Sequence, residues 1–492
     1  MQRVLAALVV ALLVARAGAW LSSAGARIVD AETRAPVRLK CVSWYGAHQQ
    51  SFVAGGLDTR SCAQIAASIV ALGANCVRLP LSVELVLANP RLNASLVAAA
   101  ACPNATEHAL ALLDCQVAAL TRAGLLVVLN IHTSFAGWVG AGERRPQGLW
   151  HTERYPTSAW LAALAALAAR YRRDPRVVGL DIRNEIHDQD GVVITWGRSS
   201  DADTDWKAAT LLADAAIRDA NPRMLVIVSG LSLGYDLRAM QDLPNYRAKF
   251  VFTTHVYTFS LWFTRVPWPA VLALALLLAA ASLAGARRLA RVKARVYHAH
   301  AHTYHAHTHT LAYAAAGALL PAVWLVAVNA AWVQQARAAG CASIADDALP
   351  ALALGLCGLL ASLAALLSLH AHENELRRAR LAASVCLWNA ALGVLQAALA
   401  LFYMTPLAVA WDLRRWASAD IPVWVGEFGA VVGDASREWR WLLALVQQLD
   451  FAYWPLNGCM HRAAGARNDT FGLLECDWRT TRDAAWTRTV FG

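Results

Sequence analysis

Apolar and polar positions in this chain follow two periods. Short apolar runs, each ending in a polar or aromatic residue, alternate with segments of helical spacing. Strands are predicted over residues 39–44, 74–79, 125–131, 177–183, 224–229 and 250–254. Helices are predicted over 62–72, 108–122, 158–173 and 206–219, with stops at Gly73, Gly124, Asp174-Pro175 and Asn221-Pro222. The alternation resumes late, with a strand over 423–426, a helix over 436–449 and a strand over 451–454. Eight strands with helices between most of them imply a parallel sheet. The regular ending of each strand in a polar or aromatic residue points to an α/β fold, a (β/α)8 TIM-type barrel, whose chemistry sits at the C-terminal strand ends.

The stretch Leu180-Asp181-Ile182-Arg183-Asn184-Glu185 stands out in this pattern, because an apolar run stops abruptly in Asn-Glu. A carboxylate at the end of a buried strand is costly unless something compensates it. An ion pair with an arginine and a reacting group both fit this fragment alone.

The periodicity breaks after the sixth strand. Four apolar stretches follow, at 266–286, 311–333, 349–369 and 381–404. They raise the hydrophobic fraction to 58% and the mean hydropathy to +0.38. Each is long enough for a bilayer of roughly 30 Å hydrocarbon. Basic residues cluster at Arg287, Arg288, Arg291, Lys293 and Arg295 and again at Arg377, Arg378 and Arg380, in alternate loops. An even number of spans returns the chain to its starting side, as a barrel split in two requires. The expectation is a four-helix transmembrane insertion embedded in membrane lipid. Buried helices of a soluble subdomain are the other reading.

Arg3, an apolar run over 4–14 and Ala17-Gly18-Ala19 have the form of a secretory signal, and an uncleaved anchor is the alternative. Sequons at Asn93, Asn104 and Asn468 agree with export. The expected organisation is therefore a signal peptide (1–19), the first part of the barrel (20–265), the insertion (266–405), and the last two barrel strands with a tail (406–492). The expected location is the secretory pathway, as a multi-pass membrane protein with its barrel lumenal or extracellular. Ten cysteines are compatible with an oxidising compartment, with Cys102–Cys115 and Cys459–Cys476 as plausible pairs and Cys357 and Cys386 as free thiols. The net charge of +10 is not arranged in a basic-aromatic stripe, so no nucleic-acid partner is expected. The histidine run from His298 to His309 has the low-complexity spacing of a biased repeat, with a zinc or copper site as the other reading, and no metal or cofactor is expected.

A second carboxylate, Glu427, closes the seventh strand. Glu185 ends the fourth, so the two face one another across a barrel mouth. Paired carboxylates flanking a sugar bond are the machinery of glycoside hydrolysis, one as acid and one ionised. Arg78 can hold Glu427 ionised. Asn184 can hydrogen-bond a sugar hydroxyl, Tyr257 can orient the nucleophile, His132 and His255 can shape the network, and Trp454 offers a flat face for a pyranose. Trp44, Trp138, Trp150 and Trp196 lie in loops where a sugar platform or ordinary packing would fit equally.

These residues occur in the segments Val77-Arg78-Leu79-Pro80, Leu129-Asn130-Ile131-His132, Arg183-Asn184-Glu185, His255-Val256-Tyr257, Val425-Gly426-Glu427-Phe428-Gly429 and Tyr453-Trp454-Pro455-Leu456-Asn457-Gly458. In that order the set resembles glycoside hydrolase family 5, the cellulase family of retaining (β/α)8 glycosidases. The resemblance covers about residues 37–260 and 411–480. It implies Glu185 as acid/base and Glu427 as nucleophile, with Arg78, His132, Asn184, His255, Tyr257 and Trp454 around the sugar. It also implies a retaining hydrolase of a β-linked polysaccharide or oligosaccharide, β-glucan or β-mannan in type. A glycolipid-directed glycosidase, a transglycosylase and a non-catalytic sugar-binding sensor are the other readings. Asn130-Ile131-His132 departs from the family's usual Asp-Asn-His, which puts a hydrogen bond behind His132 in question. Ile186 replaces a frequent proline after the acid/base. The insertion is not a family feature.

Overall fold

The computed structural model of the chain describes residues 20–98, 101–102, 107–139, 147–237, 240, 242–245, 247–258, 334, 420–459 and 469–492. The chain divides into two compact units, Met1–Thr258 with Ala410–Gly492, and Phe259–Val409. The second unit lies, apart from Gln334, outside the described residues.

The described residues of the first unit begin with an antiparallel hairpin of β1 (Leu21–Ala24) and β2 (Arg27–Asp30). Eight parallel strands follow: β3 (Lys40–Ser43), β4 (Cys76–Ser82), β5 (Leu126–Thr133), β6 (Val177–Asp181), β7 (Leu225–Ser229), β8 (Phe250–His255), β9 (Val423–Phe428) and β10 (Asp450–Tyr453). They pair in chain order, and β10 closes the barrel on β3. Strands covered on both faces need near-continuous apolar runs, and every residue of β4 to β10 is buried.

Helices cover the outside. Cys62–Ala71 starts at a capping box between Ser61 and Gln64, and Trp206–Ala220 starts at Asp205, whose side chain accepts from the Ala208 amide. At the strand N-termini Leu21 and Ile28 of the hairpin join Leu39, Cys41, Leu126, Val178, Leu225 and Trp424 in one apolar cluster, which floors the barrel. Ser23 N–H donates to Ala248 O at 2.8 Å and Lys249 Nζ to Leu21 O at 2.6 Å, tying the hairpin to the entry of β8.

The eight strands expected from the pattern are the eight barrel strands, with ends moved by up to three residues. The largest extension is in β4, which runs through Pro80 to Ser82 and pairs with β5 along its length. The hairpin and the helices Val83–Ala88 and Ala484–Phe491 were not anticipated. Cys102–Cys115 and Cys459–Cys476 are disulfides as expected, and Cys41–Cys76 is a third.

The expected location as a multi-pass membrane protein of the secretory pathway requires correction. Among the described residues no helix is long and apolar enough to cross a membrane. Their longest helix has 15 residues, short of the ~20 apolar residues that a bilayer requires. The stretches read as four spans, the signal over 1–19, Asn104, Asn468 and the histidine run lie outside the described residues.

Candidate active site

The expected site residues converge at the C-terminal ends of the barrel strands. Arg78 lies within β4, His132 near the end of β5, and Asn184 and Glu185 just past β6. His255 ends β8, Tyr257 follows two residues on, Glu427 is the penultimate residue of β9, and Trp454 follows β10. Register brings His255 directly beside Glu427. Gly426 makes this approach possible, since a Cβ there would lie 2.1 Å from Thr253 Oγ1.

Arg78 is the hub and is fully buried. Its Nη1 donates to Glu427 Oε1 at 2.5 Å, its Nη2 to Asn184 Oδ1 at 2.8 Å and its Nε to Asp181 Oδ2 at 2.9 Å. The Tyr257 hydroxyl takes the other oxygen of Glu427, Oε2, at 3.0 Å. Glu427 thus has one charged and one neutral donor, one to each oxygen. Glu185 is more open, its side chain 22% exposed, and meets His255 Nδ1 at 2.9 Å through Oε1. The same ring nitrogen is 3.7 Å from Glu427 Oε2. One oxygen of Glu185, one of Glu427 and the His255 nitrogen all lie within 4.8 Å of one another. Glu185 has φ +40°, a left-handed backbone that non-glycine residues seldom adopt outside constrained sites.

Burial dominates the electrostatics. It pushes the Glu427 carboxyl up; His255 and Arg78 pull it down, Glu185 pushes it up again, and the net direction is upward. Burial lowers His255, but the Glu427 charge and the hydrogen bond and charge of Glu185 outweigh it, so its net shift is upward. Burial holds His132 well below the ordinary histidine range, and His48, Arg78, His255 and Arg183 reinforce this. A neutral His132 whose Nδ1 lies 2.8 Å from Asn130 Oδ1 donates from that nitrogen and presents Nε2 as an acceptor. The hydrogen bond that the Asn-Ile-His departure put in question is therefore made. The Asn130 amide also donates to Asp181 O at 3.3 Å.

Trp454 lies nearly parallel to Tyr45 and His132, with centroid separations of 5.1 and 5.5 Å. Of the four loop tryptophans, Trp44, Trp150 and Trp196 are buried, each with its indole N–H bonded to a local oxygen. Trp138 is 37% exposed and packs against Tyr45 and His48 at the same wall. Sequence reasoning missed Asp181, Tyr45 and His48. Asp181 carried the plainest signal, an acid inside an apolar strand three residues before Asn184.

Such a pocket can hold one carboxylate with two donors and set a second, more open one across from it. Residues 40–265 match the family model described as Cellulase (glycosyl hydrolase family 5), a span that holds every expected site residue except Glu427 and Trp454. A glycosyl hydrolase 5 family protein of Chamaecyparis obtusa is 32% identical over 266 residues, 50% of this chain and 45% of that protein. An endoglucanase of Paenibacillus polymyxa is 29% identical over 214 residues, 42% of this chain and 49% of that protein. The chain spans about half the length of these curated relatives. In fold it is similar to the catalytic domain of the major endoglucanase of Xanthomonas campestris pv. campestris, with TM-score 0.55 and 19% identity over 96% of this chain and 99% of that one. It is similar also to an endocellulase of Pyrococcus horikoshii solved with cellotetraose, with TM-score 0.56 and 18% identity over 96% and 98%. A family model and curated relatives thus support, for this barrel, the glycoside hydrolase family 5 (cellulase) that its strand-end residues resemble.

Proposed function

We propose that this chain is a retaining, endoglucanase-like glycosidase that hydrolyses a β-linked glycan, with Glu427 as nucleophile and Glu185 as acid/base. The observation that carries the reading is the closeness of the two carboxylates, one oxygen of each lying within 4.8 Å of the other. Retaining enzymes need about 5–5.5 Å between the carboxyl groups, whereas inverting enzymes leave roughly 6.5–9.5 Å for a water. Relatives described as endoglucanases favour a β-glucan over a β-mannan.

The donor sets support these roles. Arg78 and Tyr257 both donate to Glu427, which favours its ionised form at the moment of attack. Glu427 attacks the anomeric carbon while Glu185 gives its proton to the departing glycosidic oxygen. Once Glu427 is an ester its charge is gone, and Glu185, now ionised, takes a proton from water. That water displaces Glu427 at the anomeric carbon, with net retention. Asn184 Nδ2 is buried without a partner among the described residues, which suits a donor to the sugar 2-hydroxyl. His132 Nε2 supplies an acceptor nearby, and Trp454 and Trp138 line the wall against which a pyranose would stack.

The test is chemical rescue with an aryl β-cellobioside. Glu427→Gly should lose turnover and recover with azide, giving an α-glycosyl azide. Glu185→Ala with azide should give the β product. A Glu427→Gln enzyme that still turns over sinks the assignment.

A further inference from the structure

Asp181 is as inaccessible as Arg78, and both are fully buried. Its Oδ2 accepts from Arg78 Nε at 2.9 Å and lies 2.8 Å from Nη2. The rest of the guanidinium points elsewhere, Nη1 to Glu427 and Nη2 also to Asn184. A guanidinium is rigid and planar, so fixing its Nε–Nη2 edge fixes the direction of Nη1. Asp181 itself is held from behind, because its backbone oxygen accepts from Asn130 and its strand pairs there with β5.

Charge gives the second half of the argument. A lone buried arginine against Glu427 would neutralise that carboxylate in full and make it a poor nucleophile. Here the cation lies between two carboxylates. The other titratable or charged groups facing Glu427 are Glu185, His255 and Tyr257. Those facing Asp181 are Arg78 and His255. His48 and His132 also act on or are acted on by Arg78, and both are kept neutral by burial.

We infer that Asp181 is a positioning residue for the reaction: it takes one edge of the Arg78 guanidinium and a share of its charge, so that Arg78 reaches Glu427 as an aimed donor rather than an unshared counter-ion. The inference rests on Glu427 being the nucleophile.

Asp181→Asn keeps an acceptor for Nε–H and removes the charge. With an aryl β-cellobioside, the acid limb of kcat/KM should move to lower pH by about one unit, because Arg78 then serves Glu427 alone. The kcat should fall roughly tenfold, because an unshared guanidinium neutralises the attacking carboxylate more fully. A merely structural residue would change the melting temperature and leave the limb in place. Asp181→Ser is measured in the same way in case the asparagine variant does not melt cooperatively. An unmoved limb in a folded variant, or failure of both variants to fold, overturns the inference. Glu427→Gln run alongside separates the two assignments. Residual turnover there overturns the role of Glu427 itself, whereas an inactive Glu427→Gln with an unmoved Asp181→Asn limb overturns only that of Asp181.

Discussion

The Tyr257 hydroxyl donates to Oε2 of Glu427 at 3.0 Å, opposite the oxygen that Arg78 holds. Tyr257→Phe removes one donor to a charged group and leaves the ring's packing in place. A hydrogen bond of that kind contributes about 2 kcal/mol, so kcat should fall roughly thirtyfold with the melting temperature little changed. Steady-state kinetics with a calorimetric scan checks both.

The pH profile follows from the neighbours of Glu427. Burial raises its carboxyl and the Glu185 charge adds to this, against the pull of His255 and Arg78. In its proposed role Glu427 must be ionised to attack, so its upward shift should move the acid limb of kcat/KM to higher pH than an ordinary glutamate would give. Glu185 holds its proton when Glu427 attacks, so Glu185→Gln should leave this limb in place and lose the alkaline one. A dinitrophenyl glycoside, which needs no acid for departure, allows the measurement.

Asn130 serves two partners at once, receiving His132 Nδ1–H and giving its own N–H to Asp181 O. Asn130→Asp restores the family's usual acid in that segment but replaces the second bond by two facing oxygens. The variant should lose about 1–3 kcal/mol of stability, the penalty for a buried unpaired group. Chemical denaturation at neutral pH reads it.

Asp450 ties stability to pH at the other end of the barrel. Burial pushes its carboxyl up to about 6, against the Leu39 amide and Arg38. The unfolded value is about 3.9, so between these values the folded protein binds more protons. Stability contributed by Asp450 is therefore full below about pH 4 and declines as pH rises through about 6. Asp450→Asn keeps an acceptor for Leu39 and should be more stable than the wild type above that window, by up to roughly 3 kcal/mol. Melting curves from pH 4 to 7 should diverge progressively; parallel curves would refute the linkage.

Trp138 is the exposed member of the loop tryptophans and shares a wall with Tyr45 and Trp454. Trp138→Ala should raise KM for cello-oligosaccharides about fivefold, near 1 kcal/mol of stacking, with kcat unchanged. A change in kcat alone would place Trp138 outside the binding wall.

The barrel was legible because its signals are local. Each strand announces its mouth end by a polar residue, so His132, Asn184, Glu185, His255, Tyr257, Glu427 and Trp454 could be assigned to strand ends from the residue pattern alone, whereas Arg78 lies inside a β4 that runs on past the expected end. What escaped depends on distance. Asp181 acquires its role from Arg78, 103 residues earlier, and inside an apolar strand it reads as an oddity. Whether a loop tryptophan is platform or core is set by what covers it, and three of four proved covered. Cys41 and Cys76 pair because the strands align them in register, which no spacing rule states. The hairpin β1–β2 has strands of only four residues each, too short for a period to show.

That Cys41–Cys76 bridge also governs how the barrel would yield to force. The seam between β10 and β3 joins the last barrel strand to the first, so a break that opened there would reach β3 first. The break could not then travel from β3 to β4, because a covalent bond crosses that seam. Under a reductant such as dithiothreitol the first strand can be peeled away singly. Without it β3 and β4 must leave together, and a pulling trace should record one larger step in place of two smaller ones.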